Sequence, residues 1–209
     1  MPDELEPGKI VLVRHGETAW SASGQHTSHT DLPLLDSGRR HAEALAPLLA
    51  QYTFSLVLSS PMRRALDTGT LGGLGDRVEI DRDLMEWDYG DYEGRTTPEI
   101  RKTVPGWRVW THSTPNAETA DQVGARADCV IARSRLILGR GEDVALFGHG
   151  HMSRVISARW LGLAATDGRL FALHAGSLSI LGYERETPVI ELWNYGPDVF
   201  ESDDLTGGT

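Results

Sequence analysis

The chain is short of cysteine, of lysine and of long apolar runs. Its single cysteine, Cys129, excludes an internal disulfide and a cysteine metal cluster, and fits a reducing compartment. No apolar run approaches the roughly 20 residues of a membrane span, and the Met-Pro-Asp-Glu N-terminus is acidic where a secretory signal is basic. The formal net charge of −10 argues against nucleic acid or an anionic membrane as the main partner. We therefore expect a cytoplasmic protein.

The composition, 40% hydrophobic and 24% charged over 209 residues, suits a single compact domain. Residues 85–118 differ from the rest, because they place tryptophans and tyrosines among glycines, prolines and charges with weak periodicity. We expect this stretch to form a cap or lid over the strand ends. Residues from about 198 onward are predicted to be a loose tail.

Short apolar runs alternate with helical patterns, which is typical of an α/β fold. The predicted buried parallel strands lie at 10–13, 56–58 and 144–147. The predicted helices lie at about 36–49, 61–71, 119–138 and 152–161. In the first helix, Asp36 or Ser37 is expected to be the N-cap, and Pro47 is expected to kink the helix or to end it early. In the second helix, Pro61 is expected to lie in the first turn. Strands at 177–183 and 189–193 form a hairpin whose free edge could pair with a second copy, although a monomer is equally compatible.

Three of the predicted strands end in cations or imidazoles. Arg14-His15-Gly16 follows the first, Ser59–Arg64 follows the second, and Gly148–His151 follows the third. Ligands of open α/β sheets bind beyond the carboxyl ends of the strands. If these strands are parallel and adjacent, they form one positive pocket for a small anion.

Each residue type in these motifs suits phosphate chemistry. Arg14 is a planar, permanently charged donor for two phosphoryl oxygens, and His15 could act as nucleophile, general base or metal ligand. Gly16 is expected to let the backbone approach closely and to hold the His15 ring with its N–H. Of the two arginines that open the second helix, Arg64 is predicted to point at the anion and Arg63 at solvent.

Two further residues complete the candidate site. His149 lies between two glycines at a strand end, which favours function over packing. Glu86 has the apolar neighbours Leu84, Met85 and Trp87, a setting that suits a proton donor, although a solvated loop glutamate fits equally well on these residues alone. The sequence has no His-Glu-x-x-His pair, and the arginines would repel a cation, so we expect neither a metal nor another cofactor.

Together these motifs resemble the histidine phosphatase (phosphoglycerate mutase-like) superfamily over residues 9–185. The resemblance rests on RHGET at 14–18, SSPMRRA at 59–65, LMEWDYGDYEG at 84–94 and GHGH at 148–151. Within that superfamily, residues 21–34, 86–94 and 149–154 are most similar to the branch of sedoheptulose-1,7-bisphosphatases and broad-specificity acid phosphatases.

The resemblance implies a three-layer α/β/α sandwich with a mostly parallel central sheet and a small cap over the strand C-terminal ends. It implies that His15 becomes a phosphohistidine and that Glu86 protonates the leaving oxygen, while Arg14, Arg64 and His149 hold the phosphoryl group. It also implies that the substrate contacts are made by Ser21, His26, Thr27, Tyr89 and Arg154.

These implications favour a metal-independent phosphatase of small phosphomonoesters, such as sugar phosphates or bisphosphates. One alternative is a cofactor-dependent phosphoglycerate mutase, for which the cations of residues 94–118 lack the expected clustering. The other is a non-catalytic phospholigand-binding module, which usually loses the nucleophile or the acid. This chain carries candidates for both.

Overall fold

The computed structural model describes residues 6–196, so the tail predicted from about 198 lies outside the described residues. Within that range six strands form one sheet. In chain order they are β1 (Ile10–Arg14), β2 (Phe54–Ser59), β3 (Glu79–Ile80), β4 (Asp143–Gly148), β5 (Leu178–Glu184) and β6 (Thr187–Tyr195). The order across the sheet is β3-β2-β4-β1-β5-β6. The first four strands of that order are mutually parallel. Strand β5 is antiparallel to β1, and β6 is antiparallel to β5. The predicted α/β fold with a mostly parallel sheet is therefore confirmed.

Helices cover both faces of this sheet. The described α-helices are α1 (Ala19–Ser23), α2 (Asp36–Leu49), α3 (Arg63–Leu71), α4 (Thr97–Arg101), α5 (Ala120–Leu138) and α6 (Gly150–Trp160). Side chains of β1 point alternately to the two faces of the sheet. Ile10 and Leu12 pack with α5 and α6 on one face, and Val11 and Val13 pack with α2 on the other. Because both faces are buried, the strand is apolar at each of its first four positions, as the unbroken sequence run indicates.

The helix termini differ from the prediction in two places. Helix α2 begins at Asp36 itself, its N-cap is Leu35, and no side chain caps it, so the predicted Asp36 or Ser37 cap is wrong. The Ser37 hydroxyl instead donates to the Glu17 carboxylate at 2.6 Å. Pro61 lies two residues before α3 rather than in its first turn.

Pro47 lies in the last turn of α2, which continues two residues beyond it and ends at Leu49. Proline lacks the N–H that the helix would use at this position, and an end close behind it fits that restriction.

The loop after β1 lies directly against the start of α2. A Cβ atom on Gly16 would lie 2.3 Å from the Gly38 carbonyl oxygen, and one on Gly38 would lie 2.3 Å from the Glu17 carbonyl oxygen. Neither position can hold a side chain without moving the backbone. This contact fixes the segment that carries His15.

The excursion at residues 85–118 packs into the core that also contains the α5 and α6 side chains. It contains α4 and a short 3-10 turn, Gly90–Tyr92. Its large aromatic side chains are buried, with 1–9% of their surface exposed: Trp87, Tyr89, Tyr92, Trp107 and Trp110. Burial of these rings is what holds a segment with little regular structure in place. Across the described residues, the helices are too short or too polar to cross a membrane.

Candidate active site

The three strand ends that carry the sequence motifs lie side by side. In the register of β1 and β4, Arg14 is paired with Gly148. The His15 N–H donates to the Gly148 carbonyl at 3.0 Å, and the Ser60 N–H donates to the Phe147 carbonyl at 3.0 Å. The expectation that these strands are parallel neighbours is therefore confirmed.

A cavity of about 180 Å³ opens at this edge of the sheet. Eight of the ten predicted site residues line it, namely Arg14, His15, Ser21, His26, Thr27, Glu86, Tyr89 and Arg154. The wall also contains Gly24, Gln25, Gly150, His151 and Leu173, which were not among the predicted site residues. Arg64 and His149, the two remaining predicted residues, are not on this wall and are completely buried.

His15 is held by the backbone of its own neighbour. Its Nδ1 lies 2.7 Å from the Gly16 carbonyl oxygen, so Nδ1 carries the proton and Nε2 keeps its lone pair. The expectation that the Gly16 N–H holds the ring is wrong, because that N–H donates to the Thr68 hydroxyl at 3.1 Å. Burial, followed by the positive charges of Arg14 and Arg64, lowers the pKa of His15 well below its usual range. The ring is therefore neutral near pH 7.

Arg14 places a half-buried guanidinium beside this imidazole. Its Nη1 donates to the Leu173 carbonyl at 2.5 Å, and its Nε is buried without a hydrogen-bond partner in the described part of the chain. A Cβ atom at Gly150 would lie 3.3 Å from that Nε, so glycine leaves room for the guanidinium there. A buried donor without an acceptor costs about 1–3 kcal/mol, which an oxyanion accepting from Nε would relieve.

Arg64 and His149 form a buried pair next to His15. The rings of His149 and His15 meet edge to face with centroids 5.2 Å apart. Arg64 donates from Nε to His149 Nδ1 at 3.2 Å, and its other nitrogens donate to the carbonyls of Thr30 and Ser28 at 2.9 and 3.0 Å. Burial, with the charge of Arg64 next in size, lowers the pKa of His149 well below its usual range. These contacts fix the buried positive charge of Arg64 close to His15.

The neighbouring residue Arg63 differs from Arg64 in its exposure to solvent. Arg63 lies on the surface, as predicted, and pairs with Asp67 at 3.3 Å.

The Glu86 carboxylate accepts hydrogen bonds from three main-chain N–H groups. Its Oε1 accepts from the N–H groups of Trp87 at 2.9 Å and Met152 at 2.8 Å, and its Oε2 accepts from that of His151 at 3.0 Å. Two of these donors belong to the first turn of α6, where the helix dipole favours negative charge. The expectation of an apolar setting is therefore wrong for the carboxylate itself, although only 6% of the Glu86 surface is exposed.

A further arginine, Arg126, was absent from the predicted site and holds the segment before Glu86. Arg126 of α5 donates from Nη1 to the carbonyls of Asp83 and Met85, both at 2.8 Å. Its Nε and Nη2 donate to the Glu118 carboxylate at 2.8 and 2.7 Å. Nothing in a single sequence separates this arginine from the solvent-facing arginines of the same helix, because its partners are 8 to 43 residues away.

The predicted substrate residues fall into two groups, according to whether they form hydrogen bonds with the backbone or contact the His151 ring. The Ser21 hydroxyl accepts from the Thr18 N–H at 2.8 Å in a capping box at α1, and the Thr27 hydroxyl donates to the Gln25 carbonyl at 3.1 Å. Among residues 6–196, Arg154 donates only through its Nε, to the Gly168 carbonyl at 3.0 Å. Its guanidinium carbon lies 4.7 Å from the ring centre of Trp110.

The other two, His26 and Tyr89, meet His151, which the sequence placed at the start of a helix without a role. The Tyr89 hydroxyl lies 2.6 Å from His151 Nδ1, and burial followed by the charge of Glu86 raises the pKa of Tyr89 well above its usual range. Burial lowers the pKa of His26 to about 4 and that of His151 well below its usual range. This side of the cavity is therefore polar but uncharged near pH 7.

Within residues 6–196 no group of three or more His, Cys, Asp or Glu side chains is arranged to hold a metal ion. The charged groups closest to His15 are arginines instead, and these attract anions.

A buried histidine, two arginines and a glutamate thus lie together at one edge of an α/β sheet. The family model of the histidine phosphatase superfamily (branch 1) matches residues 10–196. The chain belongs to this superfamily.

Relatives with established names agree with this assignment. The chain is 44% identical to an acid phosphatase of Mycobacterium tuberculosis over 178 residues, which is 84% of this chain and 87% of that protein. It is 38% identical to sedoheptulose 1,7-bisphosphatase of Saccharomyces cerevisiae over 188 residues, 74% of this chain and 68% of that one. A solved structure of an open reading frame from Mycobacterium tuberculosis superposes with a TM-score of 0.85 at 41% identity, covering 90% of this chain and 98% of the other.

Proposed function

We propose that the protein is a metal-independent phosphatase that hydrolyses small phosphomonoesters through a phosphohistidine at His15. The observation that carries the proposal is the 2.7 Å contact between His15 Nδ1 and the Gly16 carbonyl. It fixes the tautomer in which Nε2 is unprotonated and available to attack phosphorus. The low pKa of His15 keeps that nitrogen free of a proton near neutral pH.

In the first step, the Nε2 lone pair forms a bond to phosphorus while the bond between phosphorus and the ester oxygen breaks. The protonated Glu86 carboxyl gives its proton to the departing oxygen, which leaves as an alcohol. Arg14 receives the phosphoryl oxygens, with Arg64 and His149 as the predicted ligands from the buried base of the site. Each of these three groups draws negative charge away from the transferring phosphoryl group.

In the second step, Glu86 removes a proton from water, and the water oxygen forms a bond to phosphorus as the bond to His15 Nε2 breaks. Inorganic phosphate leaves, His15 returns to its neutral form and Glu86 is again protonated. The three N–H groups on the Glu86 carboxylate support the part it plays in this second step, because they hold the ionised group in a fixed position from which it can accept the proton of water.

The substrate side of the cavity supports a small, hydroxyl-rich phosphoester. His26, Thr27 and Tyr89 offer uncharged hydrogen-bonding groups to the cavity, which suits a sugar phosphate. The names acid phosphatase and sedoheptulose 1,7-bisphosphatase among the relatives point in the same direction. Neither nucleic acid nor a membrane is needed as a partner.

The test is capture of the phosphoenzyme. The protein is mixed briefly with a 32P-labelled phosphoester, quenched in alkali, and examined for label that is stable in alkali and labile in acid. We expect labelling in the wild type and in His112→Ala, an exposed histidine outside the cavity, and none in His15→Ala. Label retained by His15→Ala refutes the assignment of the nucleophile.

The same preparation separates the two alternatives. Movement of phosphate between glycerate positions without release of inorganic phosphate would identify a mutase. Binding of phosphoesters with neither labelling nor turnover would identify a non-catalytic module. We expect release of inorganic phosphate from a panel of sugar phosphates instead.

A further inference from the structure

One peptide unit beside the cavity connects Arg14 to the edge of the sheet. Its carbonyl, that of Leu173, accepts from Arg14 Nη1 at 2.5 Å. Its N–H, that of His174, donates to Asn194 Oδ1 at 2.7 Å. Because a peptide unit is planar, the bond at its N–H restricts the direction in which its carbonyl points. The guanidinium beside His15 is therefore oriented from β6, the strand at one edge of the sheet.

The side chains of two consecutive β6 residues hold the chain on both sides of Leu173. A backbone N–H can only donate, so the Asn194 atom that faces the His174 N–H is the amide oxygen. The amide nitrogen then donates to His174 Nδ1 at 2.6 Å. On the other side, the indole nitrogen of Trp193 donates to the Ala172 carbonyl at 2.6 Å. Residues 171–174 belong to no helix or strand, so these side-chain bonds replace the support of regular structure.

A bulge in β6 accounts for the direction of the Asn194 side chain. Leu178 of β5 is opposite Tyr195, and Ile180 is opposite Leu192, so two steps along β5 correspond to three along β6. Asn194 has a φ of 57°, in the left-handed region that only glycine, asparagine and aspartate adopt readily. Bulges of this kind turn a side chain away from the regular alternation of a strand. Asparagine suits the position because it tolerates this backbone and carries both a donor and an acceptor.

We propose that Asn194 is a positioning residue for Arg14, acting through the peptide unit between Leu173 and His174. The inference rests on the proposed function, in which Arg14 holds the phosphoryl group. Leu173 lines the cavity and Asn194 does not, so an effect of Asn194 on a bound anion has to pass through this peptide unit. With Nη1 fixed on the Leu173 carbonyl, the remaining donors of the guanidinium keep one orientation for an oxyanion.

The test is binding of inorganic phosphate to Asn194→Gly, followed by 31P NMR titration, which extends to weak affinities. Glycine accepts the same φ, so this change removes the two bonds to His174 without straining the bulge. We expect the affinity for phosphate to fall by about tenfold, because charged hydrogen bonds from Arg14 lose their alignment. Asn116→Gly is the matched control, since Asn116 is exposed and also has a positive φ, 58°. It should bind phosphate as the wild type does.

The Arg14→Ala background separates positioning of Arg14 from a general loss of structure. If Asn194 acts through Arg14, adding Asn194→Gly to Arg14→Ala should change the phosphate affinity by less than about twofold. An equal loss in both backgrounds would overturn the positioning role. Asn194→Asp also tolerates a positive φ and keeps an acceptor for the His174 N–H, so it should recover part of the affinity. An aspartate variant as weak as the glycine variant would show that the bond to the peptide N–H is not what matters.

The outcomes distinguish this inference from the proposed function. Phosphate binding that is lost in Arg14→Ala but unchanged in Asn194→Gly would overturn the role of Asn194 and leave the phosphatase standing. A tenfold loss in Asn194→Gly, in a protein that forms no phosphohistidine and releases no phosphate from esters, would do the opposite. In that case Asn194 would position Arg14 in a site that only binds anions. A wild type that binds no phosphate would overturn both.

Discussion

Arg126 should control catalysis without touching the substrate. Its guanidinium makes four hydrogen bonds of 2.7 to 2.8 Å that join α5, Glu118 and the segment just before Glu86. The Arg126 and Glu118 side chains are 18% and 22% exposed, so water replaces the lost partners only in part. We expect Arg126→Ala to lower the free energy of unfolding by about 3 kcal/mol, between the values for a single charged hydrogen bond and a fully buried ion pair.

The effect on the reaction follows from the position of Glu86. Loss of the anchor at Asp83 and Met85 frees the backbone that presents the carboxyl group, and a displacement of about 1 Å in a catalytic group costs about 100-fold in rate. We therefore expect kcat to fall by about 10- to 100-fold in Arg126→Ala, most strongly for esters with poor leaving groups. Arg126→Lys keeps the charge but not the fork of donors, and should recover only part of the rate.

The assay is kcat and KM for a series of aryl and alkyl phosphates of rising leaving-group pKa, beside urea unfolding of each variant. Arg133→Ala is the matched control, because this arginine lies on the same helix and pairs with Glu79 and Asp81 at the surface. It should cost at most about 1 kcal/mol and leave the leaving-group dependence as it is. A destabilised Arg126→Ala whose kcat and leaving-group dependence match the wild type would refute the positioning role.

Three further predictions concern the fold, acid stability and metal ions. Gly38→Ala should lower the free energy of unfolding by about 2–3 kcal/mol although alanine favours helices, because its Cβ would lie 2.3 Å from the Glu17 carbonyl oxygen. Urea unfolding beside Gly139→Ala, where the nearest atom is 3.4 Å away, tests this, and equal stabilities would contradict it. Stability should fall as the pH drops below about 6.5, because burial lowers the pKa of His26 to about 4 and the unfolded chain then binds more protons than the folded one. His26→Gln should remove about 2 kcal/mol of this loss at pH 5 and none at pH 7.5, and an unchanged pH slope in urea unfolding would show that His26 is not its source. Treatment with EDTA should leave phosphate release unchanged, because Arg14 supplies the charge that a metal would otherwise bring, and a loss restored by Mg²⁺ would contradict this.

The sheet and the convergence of the motifs could be predicted because both depend on local pattern. A strand buried on both faces must be apolar at successive positions, and the carboxyl ends of adjacent parallel strands meet at one edge. Arg14 and His149 are 135 residues apart in sequence, yet one register pairing, Arg14 with Gly148, brings them together. Helices α1 and α4 were missed because each has only five residues and depends on a capping box rather than on periodicity.

The parts of the site that escaped prediction depend on atoms far away in the chain or on backbone orientation. Glu86 was predicted from the sequence, but two of the three donors on its carboxylate come from a helix that starts 64 residues later. The Gly16 carbonyl rather than its N–H faces the His15 ring, which depends on the backbone dihedral angles after β1. Side-chain identity alone does not determine either arrangement.

Three of the groups proposed to carry the reaction are held by the main chain. Carbonyls fix His15 and Arg14, and three N–H groups fix Glu86. Because backbone donors and acceptors persist through side-chain substitution, the chemistry is tied to the fold itself. Residues 85–118 contribute instead exposed side chains such as Arg101 and Arg108, which a substitution can remove without altering the backbone that holds His15.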